Sequence, residues 1–238
     1  MLSEVQAVLP PGGRTCSEDE VQMHFRLTAD KDGLYTLLAG ESPVVRDVDP
    51  RVALGVLDAR LRGAIASRTP DWVFIHAGVV AIGDRAAAIP GRSFSGKTTL
   101  VRSLIRAGAS YLSDEYAVLD ADGRVHPYPK PLSIRNGSSR TDTNEVAASE
   151  LGALVGERPA AVALVVKTEY EPGASWKPTN GSVADAALAL FEHAVLARDQ
   201  PQRVMSAVSR AASHARLLDG KRGEADEVAA GLLAELAA

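Results

Sequence analysis

Gly91-Arg92-Ser93-Phe94-Ser95-Gly96-Lys97-Thr98 fits the phosphate-binding pattern G-x-x-x-x-G-K-[ST] at every fixed position. The chemistry requires those residue types. Glycine lets the backbone curl until its N–H groups converge on phosphate oxygens. Lys97 supplies a point charge for the β- and γ-phosphates, and the Thr98 hydroxyl is a ligand for Mg²⁺. The flanks supply the context that the motif needs. Arg85-Ala86-Ala87-Ala88-Ile89-Pro90 reads as a buried strand entering the loop. Leu100, Val101, Leu104 and Ile105 recur with a helical period, and Gly108 is placed to end that helix. Strand, loop and helix in that order aim a helix N-terminus at a bound anion. The expectation is a nucleoside triphosphate held by residues 91–98, with Thr99 beside them.

Working outward, residues 1–20 read as weakly ordered, with a breaker cluster at Pro10-Pro11-Gly12-Gly13 and an acidic run at Ser17-Glu18-Asp19-Glu20. Val21, Met23, Phe25 and Leu27 alternate as in a strand. Asp30-Lys31-Asp32-Gly33 is a turn, Leu34 to Leu38 a second strand, and Val44-Val45 marks a short third. Asp49-Pro50 opens a helix that should bury Leu54, Leu57, Leu61 and Ile65 and stop at Pro70. A first region, 1–70, of hairpin plus helix therefore precedes a core, 71–238, on which it is expected to pack.

In that core, Trp72 to His76 and Ala77 to Ile82 form one apolar strand that turns at Gly83-Asp84 into the loop strand. Beyond the loop helix come short strands at Tyr111-Leu112 and Tyr116 to Leu119, then a hairpin signal at Asp122-Gly123 leading to Arg124-Val125-His126. Leu132 to Arg135 reads as an edge strand, 136–144 as a polar loop, and 145–155 as a helix. The continuous β-branched run Ala161 to Val166 is a central strand. Ser182 and Asp185 make a capping box for a helix through Leu188, Phe191 and Val195, and two alanine-rich helices start near Pro201 and Glu224. The positive charges around Arg210, Arg216, Lys221 and Arg222 read as a solvated helix face. The fold class is α/β.

Composition narrows the function. In 238 residues, 46% are hydrophobic and 24% charged, which supports a packed core. The net charge of −4, with no basic tail, argues against nucleic acid as the partner. A single cysteine, Cys16, excludes an internal disulfide or a multi-cysteine metal site. No apolar run approaches the ~18 residues of a membrane span, and the N-terminus lacks a signal peptide's basic start. A cytoplasmic, soluble protein is expected.

The second carboxylate says more about chemistry. The central strand ends in Lys167 and Thr168, not in the Asp with which many nucleotide hydrolases direct Mg²⁺. Asp114-Glu115 instead lies seventeen residues after Lys97, where one helix and one short strand return the chain to the phosphates. Adjacent carboxylates there can divide the labour, one accepting a hydroxyl proton and one helping to hold the metal. His76 lies twenty-one residues before Lys97, at a strand position followed by Ala77-Gly78, where an imidazole could tune a carboxylate. His24, His126, His193 and His214 lack metal-ligand spacing, and Trp72 and Trp176 read as packing residues.

Together, His76-Ala77-Gly78-Val79, the loop 91–98, and Leu112-Ser113-Asp114-Glu115-Tyr116-Ala117-Val118 resemble the HPr kinase/phosphorylase family. The resemblance is closer still to its compact members, which include kinases of lasso-peptide precursors, and covers about residues 70–135. It implies a P-loop kinase fold like the C-terminal domain of HPr kinase, related to phosphoenolpyruvate carboxykinase, and phosphoryl transfer to a serine hydroxyl. It further implies that Asp114 is the base, supported by His76, that Glu115 and Thr98 ligate Mg²⁺, and that Lys97 binds phosphate. The family's Glu-x-Arg-Gly signature becomes Ser133-Ile134-Arg135-Asn136, which keeps Arg135 as a charge-stabilising candidate, with Arg140 a weaker one. Loss of its Glu and Gly speaks against the reverse, phosphate-consuming reaction. Nothing matches the substrate-docking C-terminal segment of true HPr kinases, so HPr itself is not the expected acceptor.

The expectation is an ATP- and Mg²⁺-dependent kinase acting on a peptide or small protein. A kinase of a hydroxylated metabolite, a nucleotide-sensing partner protein and a simple ATPase or GTPase remain as alternatives.

Overall fold

The computed structural model describes residues 2–14, 16–92, 95–135 and 143–238. Ser93, Phe94, Arg140 and most of the expected polar loop lie outside the described residues, and Arg135 is described by its backbone alone. The chain divides into two compact units, Met1–Arg68 and Thr69–Ala238.

The first unit contains α1 (Leu2–Val8), strands β1 (Phe25–Ala29), β2 (Tyr35–Ala39) and β3 (Ser42–Val48), and α2 (Pro50–Arg68). The strands form an antiparallel meander in the order β1-β2-β3. Its first turn is closed by the Asp30 carboxylate, which accepts the N–H groups of Asp32 and Leu34 at 2.9 Å each. The Asp49 carboxylate caps α2 by accepting the Arg51 N–H at 2.8 Å. Of the apolar positions expected on α2's buried face, Leu57 is buried, whereas Leu54, Leu61 and Ile65 are half-buried. Among the described residues of the first twenty, α1 and a 3₁₀ turn at Glu18–Glu20, which Ser17 and Glu20 cap reciprocally, form where the composition suggests little order.

The second unit runs β4 (Val73–Ile82), β5 (Arg85–Pro90), α3 (Lys97–Arg106), β6 (Ser110–Ser113), β7 (Tyr116–Leu119), β8 (Arg124–His126), β9 (Leu132–Arg135) and β10 (Thr143–Val146). It continues through β11 (Ala160–Tyr170), β12 (Thr179–Gly181), α4 (Val183–Phe191), α5 (Pro201–Ala212), β13 (Arg216–Arg222) and α6 (Ala225–Ala237). The fold is mixed α/β, with a mixed sheet and six helices among the described residues. The main sheet runs β12-β13-β11-β5-β4-β7-β8, with β6 also on β4 and β8 reaching back to β11. Its parallel part is β5-β11-β13, so these three strands end on the same side.

Two apolar cores cover the two faces. On one, Ile75, Val79 and Val165 pack with Leu190 of α4 and Val208 of α5. On the other, Ile89, Leu164 and Leu218 pack with Leu100 and Leu104 of α3 and Leu232 of α6. β4 is buried on both faces along nearly all its length, which is why it reads as an unbroken apolar run. None of the described helices is long and apolar enough to cross a membrane.

Tertiary contacts redraw several expected elements. The helix expected over 145–155 is absent: β10 pairs antiparallel with β9, Ser133 opposite Glu145, and only a 3₁₀ turn at Ala148–Leu151 follows. Gly152, at φ 73°, ends that turn, and an available strand edge outweighs helical propensity. The Ser182–Asp185 capping box forms as expected, but α4 stops at Phe191 and does not reach Val195. The chain beyond it is captured by β4, with His76 N–H donating to the His193 carbonyl at 2.8 Å and Val195 N–H to the Phe74 carbonyl at 2.9 Å. β13 was not visible as a strand, since Leu217-Leu218 alone interrupts charged neighbours. It corrects the solvated helix face expected there, and Arg222 at its end is buried.

Gly78 is the point of closest approach between β4 and α3. A Cβ there would lie 2.5 Å from Val101 Cγ2. Gly78→Ala should therefore lower unfolding stability by about 1–3 kcal/mol through overpacking, as read by urea titration.

Candidate active site

Strand β4 places the two halves of the site on its opposite edges. On one edge Ala77 pairs with Pro90, and the Gly91 N–H donates to the His76 carbonyl at 3.3 Å. On the other, His76 pairs with Tyr116, Val79 with Ser113, and the Ala77 N–H donates to the Glu115 carbonyl at 3.3 Å. The start of the phosphate loop and the Asp114-Glu115 pair thus flank the same three residues, His76-Ala77-Gly78. The fully buried Ser113 shapes the carboxylate turn, its hydroxyl accepting the N–H groups of Glu115 at 3.1 Å and Tyr116 at 2.9 Å.

Across this frame the Thr98 hydroxyl donates to Asp114 Oδ2 at 2.7 Å. The second oxygen, Oδ1, is buried and has no hydrogen-bond partner among the described residues. Burial pushes the Asp114 carboxyl up to about 7, against the opposing pull of the Thr98 hydrogen bond and the Lys97 charge. Lys97 is buried too, and its Nζ donates to the carbonyls of Gly91 and Arg92 at 2.8 Å each. Desolvation lowers its pKa, and the charges of Asp114 and Glu115 act the other way. Gly96 caps α3 in the left-handed region at φ 86°, a conformation that favours glycine.

The carboxylates have different neighbours from those the resemblance implied. His76 Nε2 lies 3.6 Å from Glu115 Oε1, and both side chains are partly exposed. Asp114 meets the Thr98 hydroxyl. The oxygens of Thr98 and Asp114 suit Mg²⁺, a hard cation that takes one or two carboxylates and completes its shell with phosphates and water. The unpartnered buried Oδ1 is what such an ion would satisfy. Among the described residues there is no cluster of three or more His, Cys, Asp or Glu that could hold a metal.

Of the remaining expected residues, Ser95 is half-buried within the loop, whereas Arg92 and Thr99 are exposed. Arg135 ends β9, with its side chain outside the described set. The residue that sequence reasoning missed is Arg222, whose Nη2 donates to the Gly96 carbonyl at 3.0 Å. A signal for it would have needed β13, which brings residue 222 to the loop from 126 positions away. Models of known protein families give no match to this chain, and curated proteins give none.

An acid whose pKa rises on folding binds more protons in the native state than in the unfolded one. The Asp114 contribution is therefore fully present below the unfolded value near 3.8 and lost as pH rises towards about 7. Asp114→Asn, which cannot ionise, should melt higher than wild type in EDTA at pH 8. The gap should shrink towards pH 4, and equal melting temperatures across that range would contradict a carboxylate whose Oδ1 is buried without a partner.

Proposed function

We propose that this protein is an ATP- and Mg²⁺-dependent kinase that transfers the γ-phosphoryl group to a serine hydroxyl of a peptide or small protein. Its second unit, in this reading, is a P-loop kinase fold of the HPr kinase type. The observation that carries the reading is the Thr98–Asp114 hydrogen bond with its orphaned, buried Oδ1. A nucleotide-binding loop sits against a carboxylate that costs stability where it is, and ion binding would offset that cost.

The roles of the two carboxylates follow from their neighbours. Thr98 and Asp114 hold Mg²⁺, which when bound neutralises charge on the β- and γ-phosphates. The amides of 96–98 and Lys97 hold the triphosphate, the ammonium exchanging the carbonyls of Gly91 and Arg92 for phosphate oxygens. Glu115, partly exposed and beside His76, takes the proton of the acceptor hydroxyl as its oxygen bonds to the γ-phosphorus and the bond to ADP breaks. This allocation reverses the one that the resemblance implied, because His76 stands by Glu115 and Thr98 by Asp114. Positioning and charge neutralisation supply most of the rate.

The test supplies γ-labelled ATP and Mg²⁺ with a size-fractionated lysate of the source cells. Label in a peptide or small-protein fraction is expected with wild type. Glu115→Gln should bind MgATP nearly as wild type does, yet transfer about 10²–10⁴-fold more slowly. Asp114→Asn should lose affinity for MgATP, and Lys97→Ala should lose nucleotide binding altogether. Wild-type transfer by Glu115→Gln would return the base to Asp114. Label in the metabolite fraction would make the acceptor a small molecule, and ATP binding without label in any fraction would make the protein a nucleotide sensor.

A further inference from the structure

Arg222 ends β13, on the side of the sheet where β5 delivers the phosphate loop. It is 2% exposed and heads the largest fully buried side chains of the molecule. A guanidinium at that depth carries a large desolvation cost unless a carboxylate pairs with it, and among the described residues none does. Its partners are two backbone carbonyls, Gly96 through Nη2 and Gly223 through Nη1, at 3.0 Å each, and the ring of Tyr170 at 5.7 Å. Nε is buried with no partner. Burial lowers its pKa, against the opposing pull of the Glu224 carboxylate, which accepts the Tyr170 hydroxyl at 2.8 Å.

The Gly96 carbonyl also accepts the Leu100 N–H at 3.1 Å, the first hydrogen bond of α3. Arg222 therefore grips the atom at which the loop becomes helix. The approach is close enough that a Cβ on Gly96 would lie 2.7 Å from Nη2. Arg222 on the Gly96 carbonyl and Lys97 on those of Gly91 and Arg92 thus each put a buried cation on the loop that leads into α3, whose N-terminus is the positive end of the helix dipole.

We propose that Arg222 is a positioning residue for the phosphate loop: it fixes the Gly96 peptide so that the following amides converge on a triphosphate, and its buried charge adds to the field that draws the anion in. The inference rests on the nucleotide-binding reading of the loop. Its role is separable from simple support of the fold, because replacing a buried, unpaired ion by an apolar side chain of similar volume is often neutral or stabilising.

The experiment measures MgATP affinity and melting temperature without nucleotide for wild type, Arg222→Met, Arg222→Lys and, as a core control, Leu218→Ala. Arg222→Met is expected to melt at or above wild type and to bind MgATP at least tenfold more weakly. Arg222→Lys, able to reach only one of the two carbonyls, should lose three- to tenfold. Leu218→Ala should melt lower yet bind as wild type does. A folded Arg222 variant that binds within twofold of wild type overturns the proposal, and Arg222→Lys decides alone if Arg222→Met does not fold. An equal loss of affinity in Leu218→Ala also overturns it, since general loosening would then explain the effect. No MgATP binding by wild type would instead overturn the nucleotide reading itself.

Discussion

Backbone hydrogen bonding along the two edges of β4 is the constraint from which the site follows. The strand is committed on one edge to β5 and on the other to β6 and β7, so its middle, His76-Ala77-Gly78, has a phosphate-loop neighbour and a carboxylate neighbour fixed by register. Where β5 departs to form the loop, the chain after α4 takes its place on the vacated edge at His76 and Phe74. These two bonds pair the His76 N–H and the Phe74 carbonyl, which suits a strand buried on both faces. Gly78 completes the arrangement by letting α3 lie close against the strand, which brings Thr98 within reach of Asp114.

On this frame the protein buries more charge than its fold requires. Lys97 and Arg222 lie on the positive side of the account and Asp114 on the negative, and among the described residues none of the three is matched by a side chain of opposite charge within salt-bridge distance. Their hydrogen bonds go to loop carbonyls and to one hydroxyl. Groups held this way keep their affinity for an external partner, because most of their desolvation has already occurred and no internal ion pair must be broken. Under the proposed function, the partner that would use these groups is a polyanion with its metal.

The sequence was most legible where one local rule decides the outcome. The phosphate loop, its strand and its helix come from glycine placement and apolar period, and the Asp49 and Ser182 caps form as written. It was least legible where two distant segments compete for the same residues. The stretch 145–155 has helical composition but forms β10 and a 3₁₀ turn, because β9 presents an edge that the local sequence cannot reveal. The partnership of His76 was similarly hidden. Adjacent residues Asp114 and Glu115 project differently from one turn, and only the turn's geometry says which of them meets Thr98 and which meets the imidazole.

The sequence by itself determined that an α/β chain carries the pattern G-x-x-x-x-G-K-[ST] between a strand and a helix, and that a histidine and a carboxylate pair lie within one helix and one or two strands of it. Those are properties of short windows, where backbone freedom, capping and apolar periodicity act over a few residues. The tertiary structure alone decided which carboxylate has a buried oxygen and meets Thr98, which one faces the histidine, and that Arg222 reaches the loop from the far end of the chain. Burial, side-chain direction and the parallel pairing of β11 with β13 depend on contacts between segments tens of residues or more apart, and no local pattern encodes them.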